Sequence, residues 1–160
     1  MAYEFLVKEL EPSTVLHTRV TTSAVRIGDS IESALDDLYG SAARAGLDPA
    51  GPPEVAYLTD FVPGTDTETE IEVIIPVSGE ALPGARMLGE LSGRPSRRVA
   101  YTIHYGRYET LHQAYRMLYD WVRESGYTVA GAPSEIYLLS YDEESDPDKF
   151  QTEVVVPVNA

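Results

Sequence analysis

The sequence predicts an α+β fold. The expected architecture is a tandem pseudo-twofold repeat of β-β-α-β-β halves forming one curved antiparallel sheet, with two helices on one side and a ligand groove on the other. Three observations predict it. Glu70–Val77 (EIEVIIPV) and Gln151–Val158 (QTEVVVPV) each contain a glutamate, three β-branched residues and Pro-Val, and their glutamates, Glu72 and Glu153, lie 81 positions apart (153 less 72). Gly46 and Gly126, Pro53 and Pro133, and Tyr57 and Tyr137 recur at an offset of 80. The apolar stripe Ile31, Leu35 and Leu38 recurs at the same offset as Leu111, Tyr115 and Leu118. A repeat of this length constrains the architecture before any single element does. The expectation is a single domain over residues 1–160, with one half at 1–79 and the other at 84–160.

The elements follow in order. Tyr3–Leu10 alternates apolar and polar residues, as a half-buried strand does, and Pro12 ends it. Val15–Val20 forms a second strand, with Val15, His17 and Arg19 on one face. Thr22 or Ser23 is placed to cap a helix whose apolar residues are Val25, Ile27, Ile31, Leu35, Leu38 and Ala42. Gly46 stops the helix. Asp48–Pro53 is a loop, Glu54–Asp60 a third strand, Pro63–Thr69 an acidic turn and Glu70–Val77 a fourth strand. After a linker at Ser78–Pro83, Met87–Leu91 takes the part of the first strand and Ser96–Tyr105 that of the second. A helix follows with Leu111, Tyr115, Leu118 and Val122 on its apolar face and Gly126 as its stop. Ala130–Pro133 is a loop, and Glu135–Tyr141 and Phe150–Val158 complete the sheet.

Composition excludes several function classes. A net charge of −14 over 160 residues repels phosphate backbones, so direct nucleic-acid binding is not expected, whereas cations are attracted. With no cysteine there is no thiol chemistry, in keeping with a cytoplasmic protein. No apolar run approaches the roughly 20 residues that span a bilayer. The histidines at 17, 104 and 112 lack zinc spacing, and the acidic run at 142–148 lacks the ligand spacing of a calcium loop, so neither metal nor cofactor is expected. His104 reads as a structural histidine. There is no Gly-rich phosphate loop and no G-x-S-x-G elbow, and Ser-His-Asp catalysis finds no support in the sequence.

The feature that calls for a role is Glu153. Side chains alternate along a strand, so Glu153, Val155 and Pro157 share one face while Val154 and Val156 share the other. A carboxylate on an otherwise apolar strand is costly unless paired, solvated or used to bind.

Taken together, His104–Glu109 (HYGRYE), Ala114-Tyr115 with Trp121, Ala130–Pro133 with Glu135–Leu138, and Thr152–Val158 resemble the GyrI-like effector-binding domain family over nearly the whole chain. The resemblance implies a stand-alone, multidrug-type binding module for bulky hydrophobic, often cationic, small molecules. It implies Glu153 as the acidic ligand residue, with Tyr137, Glu135, Tyr108, Tyr101, Tyr57 and Glu72 as further binding candidates. Tyrosine offers an apolar face, a hydroxyl and a ring able to hold a cation. The family also implies an alternative, a hydrolase that opens cyclopropane-bearing DNA-alkylating natural products. Glu153 would then act as general base, and Glu135 or Tyr137 would polarise the substrate. Inhibition of DNA gyrase through protein contact is a third reading. A protein partner is compatible with the resemblance but not identified by it.

Overall fold

A computed structural model of the chain describes residues 3–60, 64–140 and 143–159. The expected ends of the third-strand pattern at Tyr141, of the turn at Pro63 and of the acidic run at Asp142 lie outside the described residues. Among the described residues, ten strands and two α-helices follow in chain order: β1 (Leu6–Leu10), β2 (Ser13–Thr22), α1 (Ile27–Arg44), β3 (Asp48–Pro49), β4 (Glu54–Tyr57), β5 (Thr69–Ser78), β6 (Glu90–Arg94), β7 (Arg97–Tyr105), α2 (Leu111–Glu124), β8 (Thr128–Val129), β9 (Ser134–Leu139) and β10 (Gln151–Asn159). The two short strands β3 and β8 fall within or beside the segments expected as loops.

The chain forms two compact units, Pro12–Pro95 and Met1–Glu11 with Ser96–Ala160. They are called here the N-terminal and C-terminal units. In the N-terminal unit the antiparallel order is β4-β5-β2-β6, with β3 added to the end of β5, and α1 packs on β2 and β5. In the C-terminal unit the order is β1-β7-β10-β9, with β8 added to the end of β10, and α2 packs on β7.

Each unit therefore differs from its half of the sequence by one strand. β1 pairs with β7 rather than with β2, its neighbour in sequence, and β6 pairs with β2. The connectors explain this. Only Glu11-Pro12 joins β1 to β2 and only Pro95-Ser96 joins β6 to β7. The favoured two-residue hairpin turns have a positive φ at the first central residue, and type I′ has it at both. Proline is fixed near −65°, and no non-glycine residue among those described has a positive φ. Neither connector suits the favoured hairpin turn, and each strand continues onward and pairs elsewhere.

Both helices end as the glycines require. Gly46 and Gly126 have φ of 77° and 83°. The next amide, of Leu47 or Tyr127, bonds back to the carbonyl of Ala42 or Val122 at 2.9 and 3.1 Å. The start of α1 departs from expectation. Its N-cap is Arg26 without a side-chain bond; Ser23 instead donates to Asp66 at 2.6 Å, and Val25 is exposed. The apolar face of α1 buries Ala34, Leu38 and Ala42, rotated from the expected stripe. On α2 the buried residues are Leu111, Ala114, Leu118 and Val122, packed with Ala100, Val154, Val156 and Val158 of β7 and β10.

Leu118 is fully buried in that cluster. Leu118→Ala should cost about 2–5 kcal/mol in chemical denaturation. Met117→Ala, one residue away and exposed, should cost well under about 1 kcal/mol. Equal losses for the two variants would contradict the face assigned to α2.

Candidate functional site

Residues directly opposite one another in an antiparallel ladder point to the same face. The C-terminal unit therefore divides cleanly. On β10, Glu153 lies opposite Ile103 of β7 and Ile136 of β9, and Val155 lies opposite Tyr101 and Ser134. Leu6 and Lys8 of β1 lie opposite Tyr101 and Val99. These residues share the face turned away from α2. Thr152 lies opposite His104 and Tyr137, and Val154 opposite Thr102 and Glu135, so this second set shares the face under α2.

The register separates what the sequence expected to find together. Glu153 is not grouped with Glu135, Tyr137 and Tyr108. Glu135 is buried beneath the helix, where its carboxylate accepts from Tyr115 Oη at 2.6 Å and Tyr137 Oη at 2.8 Å, tying α2 to β9. Tyr108 stacks on Phe150 with centroids 5.1 Å apart and meets the edge of Tyr137 at 6.0 Å. A sheet stands between this cluster and Glu153. An acid–base division of labour between Glu153 and Glu135 or Tyr137 is thus not available on one surface. Tyr57 lies opposite Ile71 in the N-terminal unit, and Glu72 lies opposite Arg19 and Ala56 on the other face of that sheet.

Of the expected ligand residues, the structure brings together Glu153 and Tyr101, and it adds Lys8. The Lys8 ammonium donates to both carboxylate oxygens of Glu153, at 3.0 and 3.1 Å, and sits over the Tyr101 ring at 4.0 Å from its centroid. Lys8 and Glu153 stand two strands apart and four residues apart along β7. On a flat sheet that is about 10 Å across and about 13 Å along. The bond therefore needs strands coiled toward this face and a lysine stem laid across Tyr101. The Glu153 side chain is 9% exposed and that of Lys8 33%. The carboxylate is nearly out of water while its partner keeps contact with it. Ser134, on the same face, is buried and its Oγ has no hydrogen-bond partner.

No local signal marks Lys8, which stands 145 residues from Glu153. His104 has the structural role expected of it. Nε2–H donates to the Arg107 carbonyl at 2.9 Å, and Nδ1 accepts from Tyr3 Oη at 2.8 Å; burial pushes the Tyr3 phenol above its ordinary pKa. Near the far end of β10 an open cavity of about 430 Å³ is lined by Arg97, Arg98, Pro157 and Asn159, among others. Its guanidinium groups make it unlike the Glu153 surface. Among the described residues no cluster of His, Cys, Asp or Glu could hold a metal ion, and no helix is long and apolar enough to cross a membrane.

Comparison with known proteins agrees with this architecture. The model of the GyrI-like small molecule binding domain matches residues 4–159. No curated protein matches the sequence. Among solved structures, the EcmrR C-terminal domain is similar at a TM-score of 0.79 and 21% identity, covering 99% of each chain. In the EcmrR–DNA complex the match has a TM-score of 0.81 and 21% identity; it covers 98% of this chain but 57% of that one, so the chain spans little more than half of that protein's length. A hydrolase from Listeria innocua matches at 0.74 and 14% identity, covering 98% of this chain and 92% of that one. SAV2435 bound to tetraphenylphosphonium matches at 0.58 and 17%, covering 98% and 94%.

The Lys8–Glu153 pair should be measurable. Lys8→Met leaves the carboxylate buried without its cation and should cost about 1–2 kcal/mol, between the values for exposed and for fully buried pairs because Lys8 is a third exposed. Adding Glu153→Gln should recover most of that loss. A double-mutant cycle with no coupling would contradict the pair. From the matched model over residues 4–159 and the antiparallel strands with their two helices, the chain belongs to the GyrI-like small molecule binding domain family.

Proposed function

We propose that the protein binds bulky hydrophobic compounds that carry a cationic centre, and that the centre is held by Glu153 and Tyr101 in the place of the Lys8 ammonium. The observation that carries this reading is the lysine itself. A cation already lies bidentate on a nearly buried carboxylate and over an aromatic face, the two contacts by which a hydrophobic cation is recognised. Lys8 thus acts as a tethered competitor. It keeps the carboxylate compensated in the empty protein and is exposed enough to swing into water when a ligand arrives. Protonated hydrophobic amines reproduce its N–H donors most fully, whereas quaternary cations reproduce its charge and its contact with the ring.

A further feature supports the reading. The net charge of −14 raises the local concentration of cations. The printed association of SAV2435 with tetraphenylphosphonium makes that cation a suitable probe.

Titration calorimetry with tetraphenylphosphonium and a hydrophobic ammonium tests the proposal. Glu153→Gln should weaken both by roughly 1–3 kcal/mol, the range of charge-assisted contacts, and a neutral triaryl analogue much less. Tyr101→Leu should weaken both cations. Lys8→Met should tighten them by about tenfold, roughly 1.4 kcal/mol, because no tethered cation has to leave. Equal affinities for the wild type and Glu153→Gln would remove the carboxylate from the site.

A further inference from the structure

On the face of the N-terminal unit turned away from α1, three side chains from three strands meet in line. Ser92 of β6 has its Oγ 2.8 Å from His17 Nε2 on β2, and His17 Nδ1 lies 3.3 Å from Glu72 Oε2 on β5. The second oxygen of Glu72 faces Arg19 at 3.8 Å, so the carboxylate is oriented from both ends. An ionised carboxylate only accepts, so Nδ1 carries the proton. In the neutral ring Nε2 then presents its lone pair to the serine hydroxyl. That is the tautomer of a general base, oriented by a carboxylate and set against a hydroxyl nucleophile.

The two hydrogen-bonded histidines of the sheets are thus arranged in opposite senses. His104 is buried, with Nε2–H committed to a backbone carbonyl. The His17 and Glu72 side chains are 22% and 17% exposed and reachable by a small reagent. The approach of β6 to β2 depends on one residue. Gly89 has a φ of +102°, and a Cβ there would lie 2.8 Å from the His17 carbonyl oxygen and from a methyl carbon of Leu38. With glycine at this point the strand runs close enough for Ser92 to reach the imidazole.

We infer that Ser92, His17 and Glu72 of the N-terminal unit constitute a hydrolytic site for small, unhindered carboxylic esters. Ser92 Oγ forms a bond to the acyl carbon while its proton passes to His17 Nε2. The ester C–O bond breaks, and the departing alkoxide takes that proton from Nε2. Water then attacks the acyl-serine, gives one proton to Nε2, and releases the carboxylic acid as Ser92 Oγ regains the proton. Ser92 and His17 are catalytic residues. Glu72 is a positioning residue, holding the tautomer, and Gly89 positions the strand.

The test uses p-nitrophenyl acetate and butyrate with the whole chain, together with a fluorophosphonate tag located by peptide mass spectrometry. The wild type should release p-nitrophenol about 100-fold faster than Ser92→Ala, the scale of a positioned base, and His17→Gln should fall to the same level. Glu72→Gln should lower kcat with KM and melting temperature unchanged, and Glu72→Asp should restore part of the loss, which a merely structural carboxylate would not do. The tag should sit on Ser92 of the wild type, a result that does not depend on any variant folding. Turnover by the wild type no greater than the buffer blank, equal rates for the wild type and Ser92→Ala, or a tag on another residue would each overturn the inference.

Discussion

Two prolines set the arrangement on which both surfaces depend. Pro12 and Pro95 lie in two-residue connectors that have no glycine and cannot adopt the positive φ of a tight hairpin. β1 therefore runs on to pair with β7, and β6 pairs with β2. The consequence is chemical as well as topological. β1 brings Lys8 to Glu153, and β6 brings Ser92 to His17. Had either strand folded back on its sequence neighbour, each pair would have lost a member.

The same edge strands solve an electrostatic difficulty. Each unit carries carboxylates on the strand face away from its helix, and a buried charge without a partner is costly. Glu153 is held by Lys8, Glu54 by Arg94 at 3.2 and 3.3 Å, and Glu72 by His17 and Arg19. Lys8 and Arg94 both stand on the exchanged strands. The three pairings are not alike. A guanidinium on Glu54 makes a rigid fork, whereas the Lys8 ammonium is a single point on a flexible stem and is the easier to replace by a ligand cation. That difference singles out Glu153 as the carboxylate through which the family's small-molecule binding is read here.

Much of the fold was legible in the sequence, because hydrophobic period and glycine stops are local signals. QTEVVVPV correctly put Glu153 and Val155 on one face and Val154 on the other, and Gly46 and Gly126 ended the helices where the spacing required. The site was less legible. Alternation along one strand says which residues share a face of that strand; only the register between strands says which residues of two strands share a face. Glu135 pairs with Val154 and not with Glu153, and that single fact moves Glu135 and Tyr137 under the helix. Lys8 lies 145 residues from its partner, and Ser92 and Glu72 lie 75 and 55 from His17, beyond any motif read locally. Ser23 was a plausible helix cap, but Asp66 offers its hydroxyl an acceptor 43 residues away.

On the proposed reading, the protein's own lysine occupies the place of its ligand's cation. The most direct measurement is a crystal structure of the protein with tetraphenylphosphonium, compared with the unliganded crystal. The account predicts the phosphonium centre near the Glu153 carboxylate with an aryl group on Tyr101, and the Lys8 ammonium withdrawn into solvent. A cation bound elsewhere, with Lys8 still bidentate on Glu153, would contradict it.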